Sequence, residues 1–422
     1  MTLTKRKLLG LASSGWMALT LGAAARPLDG VTLNVASQND QFAAVMAKLA
    51  PEFKDETGAT VKVDILDYGS LLTKTTADFL SHSGGYDVIT TDIVWAGQLA
   101  ANQSTVELSD LIKRDAKEID VDDIYPVLMT SLGNYGGKQV SFPFAGYANV
   151  LAYRTDLYKA AGLEPPKTME ELVADAYKLT DPAKKQYGFV ANGQKGPAVA
   201  QDWMQYNAEM GGAILDAAGK PALNSPANIK SLTVYRDLFQ KAAPPGAADY
   251  DWGGREESFR QGLAANMQTW SVGAPGYYDS KISKIVGEVG IEAAPRGAGL
   301  PKVYGVGGWG LAINADSKHK EAAWTFIKWI TSQKVHKQMN LMGAGSFLRK
   351  SELADPELNA KFPFLPVIAE SFEHGDGDYR PRIPEYPRIQ DILGTAVNAV
   401  LVGNSDPRAA LDGAQKAAEK LF

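Results

Sequence analysis

The residues best suited to chemistry in this chain are aromatic, amide and carboxylate side chains rather than nucleophiles. Trp309 stands in Val306-Gly307-Gly308-Trp309-Gly310-Leu311, a lone large ring among glycines. Glycine flanks strip away covering side chains and admit close approach to the backbone. A flat apolar ring with an N–H at its rim suits a ligand that has both C–H faces and hydroxyls, although a core Trp fits the same pattern. Trp270 closes the segment Met267-Gln268-Thr269-Trp270, and Trp252 sits in Asp251-Trp252-Gly253-Gly254, a loop with little to cover it. Trp270 reads equally as a core aromatic. Asp92 ends an apolar run and is placed either to accept paired hydroxyl hydrogen bonds or to cap the next segment. Arg380, Arg382 and Glu385 share a Pro-bounded stretch, where an Arg serves as a bidentate clamp or as a structural ion pair.

The elements that carry these residues alternate. Val31–Ala36 reads as a strand, and Phe42, Val45, Met46, Leu49 and Phe53 follow at helical spacing up to Gly58. Strands at Thr60–Leu66 and Tyr86–Thr91, with a helix over Ser70–Ser81 between them, complete a βαβαβ order. That order predicts an α/β chain with a parallel sheet, whose ligands meet the carboxyl ends of the strands. Those ends are polar: Gln38-Asn39-Asp40, then Tyr68, then Asp92. A second α/β unit begins near Gln139, with strands at Val140–Phe144 and Val150–Tyr153 around a Gly146-Tyr147 loop. The Thr168/Glu171 pair then predicts a capping box. Helices are expected at 317–331, 333–341, 389–402 and 407–421.

Composition narrows the classes. The 422 residues favour two domains, and a net charge of −5 without a basic tract argues against nucleic acid as a partner. Residues 1–25 have the form of a cleavable secretory leader: Lys5-Arg6-Lys7, an apolar stretch from Leu8 to Leu21, then Ala23-Ala24-Ala25. One Lys departs from the twin-arginine pattern, so the export route stays open. With no Cys, neither a disulfide nor a lipidated anchor is available. The four His are scattered, and neither a His-Glu-x-x-His nor a Gly-x-Ser-x-Gly pattern occurs, so nothing selects an enzyme. Forty-eight acidic residues leave a glycosidase pair possible by number alone. Tyr277-Tyr278 keeps a ferric-ion receptor as the rival.

Several segments together resemble the extracellular solute-binding proteins of ABC importers, in the branch that contains the maltose-binding protein and many sugar and polyol receptors. They are Tyr86–Asp92, Gly136–Phe144 continuing to Leu151–Leu157, Gly162–Thr168, the Gly307–Asn314 block and Arg380–Tyr386. The resemblance implies two α/β lobes, each a sheet flanked by helices, with a ligand cleft between them. Lobe one would be residues 30–141 plus 297–343, and lobe two 142–296 plus 344–422. It also implies that Gln38, Asn39 and Asp40 form a ligand loop, that Gln201-Asp202 opens a ligand-facing helix, and that Trp270 stacks on sugar. Gly308, Trp309, Tyr68, Asp92, Trp252, Arg380, Arg382 and Glu385 complete the expected site. The implied role is periplasmic capture of a monosaccharide, polyol or short oligosaccharide by a monomer and its delivery to a membrane permease, with no cofactor and no covalent chemistry.

Overall fold

The computed structural model describes Thr2 and residues 26–422; apart from Thr2, the expected leader lies outside the described residues. Among the described residues, ten strands and their flanking helices form one mixed sheet with a small hairpin beside it. β1 (Thr32–Gln38) lies between β2 (Thr60–Leu66) and β3 (Val88–Asp92), all three parallel. Between them run α1 (Gln41–Thr57) and α2 (Tyr68–Ser81). α1 buries Phe42, Val45, Met46, Leu49 and Phe53 on one face. Asp40 caps its start by accepting from Gln41 N, and Gly58, at φ 94°, ends it. The short strands β4 (Asn134–Tyr135) and β5 (Lys138–Gln139) make the hairpin.

The middle of the molecule departs from expectation. Instead of two strands around a Gly146-Tyr147 loop, residues Phe142–Arg154 form a single strand, β6, buried almost throughout. At about 3.3 Å per residue its 13 residues run some 40 Å. Its partners change midway. Phe142 to Ala148 pairs antiparallel with β9 (Tyr304–Ile313), which in turn pairs with β3. Asn149 to Arg154 lies between β7 (Asn266–Trp270) and β8 (Val289–Ala293). A parallel stub, β10 (Gly375–Asp376), joins β9 at Tyr304 and Gly305. Gly146 signals close approach rather than a turn, because a Cβ there would strike Leu128 and the Phe347 carbonyl.

The β6 switch divides the molecule into two halves, one built on β1–β3 and β9, the other on β7 and β8. After Leu341 the chain contacts both halves. Arg349 is buried in the first half, where its Nη2 donates to Ile119 O and Thr331 O at 2.9 and 2.7 Å. Glu352 meets His336 Nδ1 at 2.5 Å, and Lys337 bridges to Asp355. A buried guanidinium can serve the C-termini of both helices, Ser109–Ile119 and Lys320–Ile330, because their last carbonyls lack intrahelical partners. Farther on, Tyr386–Leu401 and Pro407–Ala418 do pack on the second half's helices Pro197–Glu209 and Pro226–Ala242. Among the described residues no helix is long and apolar enough to cross a membrane.

Candidate functional site

A cavity of about 830 Å³ opens where the two halves face each other across β6 and β9. Gln38, Asn39, Asp40, Tyr68, Asp92, Gly308 and Trp309 line it from the first half. Gln201, Trp252 and Trp270 line it from the second, and Arg380 from the segment that crosses behind them.

On the first wall the carboxyl ends of β1 and β3 and the start of α2 converge. Tyr68 Oη donates to Asp92 Oδ2 at 2.9 Å and accepts from Trp95 Nε1 at 3.1 Å. Asp92 also accepts from Val94 N, so it caps the turn after β3 while it faces the cavity. Burial pushes the Asp92 carboxyl above its ordinary range, opposed by the Arg380 guanidinium 3.8 Å away and by the Tyr68 bond. Trp309, opposite Asp92 in the sheet, packs edge-to-face on Trp95 at 5.7 Å and on Tyr68 at 6.0 Å. The glycine flanks do not bare this ring as expected, for Trp309 is 6% exposed. The gap left by Gly307 is filled by Trp270 and Arg380, which would lie 2.5 and 2.9 Å from a Cβ placed there. Gly308 is obligatory for two reasons: its φ is 128°, and a Cβ would run into the Ala145 carbonyl.

The second wall is built differently. Gln201 Oε1 accepts from both indoles, Trp252 Nε1 at 3.1 Å and Trp270 Nε1 at 3.2 Å. Trp252 begins the helix Trp252–Arg260 rather than sitting in a loop, and its ring tilts against Tyr68 at 5.7 Å. Four residues on, Glu256 shares its helix face and lines the cavity. Beneath lies a buried network. Arg255 Nη1 spans both oxygens of Asp202 at 2.8 and 3.0 Å, and Arg255 Nη2 reaches Glu256 at 3.1 Å and Thr269 Oγ1 at 2.7 Å. Asp202, expected at the ligand, is therefore a structural partner at 1% exposure, and its second oxygen also accepts from Asn192 N.

Arg380 closes the back of the cavity. It is 1% exposed, its guanidinium lies 5.1 Å from the Trp270 ring centroid, and its Nε and Nη1 have no hydrogen-bond partner among the described residues. Its neighbours are placed otherwise. Arg382 points away and is used up by Asp378 Oδ1 at 2.7 Å, by Ser131 O at 2.9 Å and by the Asn134 carbonyl. Glu385 lies outside the cavity at the start of Tyr386–Leu401, where its carbonyl accepts from Arg388 N and Ile389 N. Both side chains follow from the turn that aims Arg380 inward, since neighbouring residues there face other ways.

Tyr147, Arg255, Glu256 and Thr269 also line the cavity, and sequence reasoning missed them. Tyr147 Oη donates to Asp40 Oδ2 at 2.9 Å. Asp40, only partly exposed, is raised to about 6 by burial, with the Tyr147 bond pulling the other way. The helical spacing from Trp252 was the one signal that pointed to Glu256. The adjacent tyrosines of the metal reading do not act together: Tyr277 Oη donates to Glu256 Oε2 at 2.6 Å, whereas Tyr278 stacks on Phe364.

Known proteins share this architecture. The family model described as "Bacterial extracellular solute-binding protein" matches residues 36–337. A solute-binding protein of an ABC transporter from Agrobacterium radiobacter K84, solved with ribitol, is 69% identical; the match covers 94% of this chain and all of that one, with a TM-score of 0.92. A second, from Agrobacterium vitis S4 with bound D-mannitol, is 28% identical over 92% of this chain and 98% of its own, with a TM-score of 0.85. The mannitol-binding protein of Pseudomonas aeruginosa is 26% identical over 91% of this chain and 92% of its own length.

Proposed function

We propose that this chain, which belongs to the bacterial extracellular solute-binding proteins, captures a short linear polyol of the size of ribitol and presents it to an ABC permease. The observation that carries the reading is Arg380. A guanidinium buried to 1% exposure with two unpartnered nitrogens incurs a cost of about 1–3 kcal/mol per lost bond unless something accepts from it. Hydroxyl oxygens of a bound polyol supply acceptors to this guanidinium from the cleft side. Asp92, Asp40 and Glu256 accept from the same hydroxyls, and Trp309, Trp270 and Trp252 cover the C–H edges. A polyol donates and accepts at every carbon, which matches a cavity that mixes carboxylates with a guanidinium. The similarity to the ribitol-bound protein supports the same ligand class.

The mode of action is differential binding without covalent chemistry. A ligand held by both walls favours the closed arrangement by as much as it prefers that arrangement over the open one. Water leaves as the walls meet, and the hydrogen bonds strengthen in the drier medium. The division between the lobes falls inside β6, near Ala148–Asn149, where its pairing changes. Residues 1–25 serve as the export leader, which puts the mature protein outside the cytoplasm, where it works as a monomer. The ferric-ion reading is not favoured, because the tyrosine pair is split between Glu256 and Phe364.

Calorimetric titration with ribitol, D-mannitol, maltose and ferric citrate tests this reading. Ribitol is expected to bind tightest, and Arg380→Met to lose about 2 kcal/mol of that affinity with the fold intact. Equal affinity in parent and variant removes Arg380 from the site. Tighter binding of ferric ion than of any polyol overturns the reading as a whole.

A further inference from the structure

Gln201 joins three elements at the second wall. It comes from the helix Pro197–Glu209, Trp252 from the start of Trp252–Arg260, and Trp270 from the end of β7. Its Oε1 accepts from both indole nitrogens, at 3.1 and 3.2 Å. An indole N–H only donates, so the atom that meets two of them must be the amide oxygen. Turned over, the amide would set its own N–H groups against both indoles. The side chain therefore has one orientation, and Nε2 is the end left for a ligand. That nitrogen has no hydrogen-bond partner among the described residues, and it is not sealed off as Arg380 Nε and Nη1 are. Gln201 lines the cleft, so its open end faces the cavity.

The same two bonds silence the tryptophans as donors. Each indole has a single N–H, and both are spent on Gln201, so the rings can meet a ligand only through their carbon surfaces. One flank of each is already occupied: the Arg380 guanidinium lies 5.1 Å from Trp270, and Trp252 tilts on Tyr68 at 5.7 Å. Other donors of this wall are engaged or stand elsewhere. Thr269 Oγ1 donates to Glu256, Arg255 is bound to Asp202, Arg260 is paired with Glu257 at 2.9 Å, and Gln194 is exposed. On the first wall Asp40 and Asp92 are acceptors. A hydroxyl held between the walls can donate to a carboxylate and accept from an amide at once.

We propose that Gln201 sets specificity at the second wall: with its oxygen pinned by two indoles, it donates from Nε2 to one hydroxyl oxygen of the ligand and holds both rings in register against the C–H edges. This role rests on the polyol reading and adds to it a demand for an oxygen acceptor at one particular carbon.

The test is calorimetric titration of the parent, Gln201→Met and Gln201→Glu at pH 8 with ribitol and with each of its monodeoxy analogues. Both variants are expected to bind ribitol about tenfold or more weakly. In the parent, one analogue should lose at least about tenfold for want of the hydroxyl that Gln201 holds. In Gln201→Met the same analogue should lose less than about threefold relative to ribitol, the mark of a direct pair. Positioning is read separately, in the near-ultraviolet circular dichroism of the ligand-free proteins. The tryptophan bands should persist in Gln201→Glu, whose carboxylate still accepts from both indoles, and change in Gln201→Met. Ribitol affinity within about threefold of the parent in Gln201→Glu, or equal losses for every analogue in parent and Gln201→Met, overturns the donor role. Unchanged tryptophan bands in Gln201→Met overturn the positioning role. If Gln201→Met does not fold, the same comparison of analogues in Gln201→Glu decides. A parent that binds no polyol removes the donor role together with the proposed function, and the spectra alone then judge the positioning role.

Discussion

The two walls of the cleft hold similar aromatic surfaces by different means. In the first, Tyr68, Asp92 and Trp95 bond directly to one another at strand ends, and Trp309 packs against them. In the second, Trp252 and Trp270 hang on one amide oxygen of Gln201, above a buried charge network of Arg255, Asp202 and Glu256. The first wall is secured by ring packing and a short hydrogen-bond chain, the second by a network of buried charges. Packing degrades by steps as atoms are removed, whereas a buried charge network fails as a unit.

Arg255→Met should have the largest effect. It leaves Asp202 and Glu256 buried without their cation and lowers stability by about 4 kcal/mol in denaturant unfolding. Ribitol affinity should fall with it, because Thr269, next to Trp270 on the same strand, loses its bond to Arg255. A loss below about 1 kcal/mol would break the contrast between the walls. Trp309→Ala should cost about 3 kcal/mol of stability, near the lower end for a buried aromatic because one side of the ring already meets a cavity. The same variant should lose about 1 kcal/mol or more of ribitol affinity, and unchanged affinity would assign the ring to the core alone.

The smallest effect concerns Asp40, which joins the first wall to Tyr147 of β6. Its folded carboxyl titrates at about 6, above the ordinary 3.8, so the native state holds this proton more tightly than the unfolded chain does. That contribution is fully present below about 3.8 and is lost as pH rises through about 6. Asp40→Asn keeps a capping side chain and removes the titration. The variant should therefore gain on the parent by about 1–2 kcal/mol between pH 4 and 6, after allowance for the open side of the carboxyl, and then hold level. A difference independent of pH would detach Asp40 from the cavity's electrostatics.

How far the sequence could be read follows the same division. β2 was placed to the residue, α1 was legible from its apolar face, and the Thr168–Glu171 capping box stands as expected. These are local signals, written in spacing and caps. The strand-end residues of the first wall were legible for the same reason, through the rule for parallel sheets. Arg255, Glu256 and Asp202 were not, because a charge buried against distant partners looks in sequence like any surface charge. β6 was misread because a glycine needed for the approach of Leu128 and Phe347 has the same letter as one that makes a turn. The place of Arg349 was hidden too, since its contacts with Ile119 and Thr331 span the chain.

The unbroken β6 has a practical consequence. Neither half owns it: residues 142–148 belong to the first half's sheet, and 149–154 form the middle strand of the other. Expressing either half alone would strip a sheet of a member and expose raw backbone edges, an invitation to aggregate. A biosensor made from this receptor should therefore carry its fluorescent insertion in a surface connection and keep that shared spine in one piece.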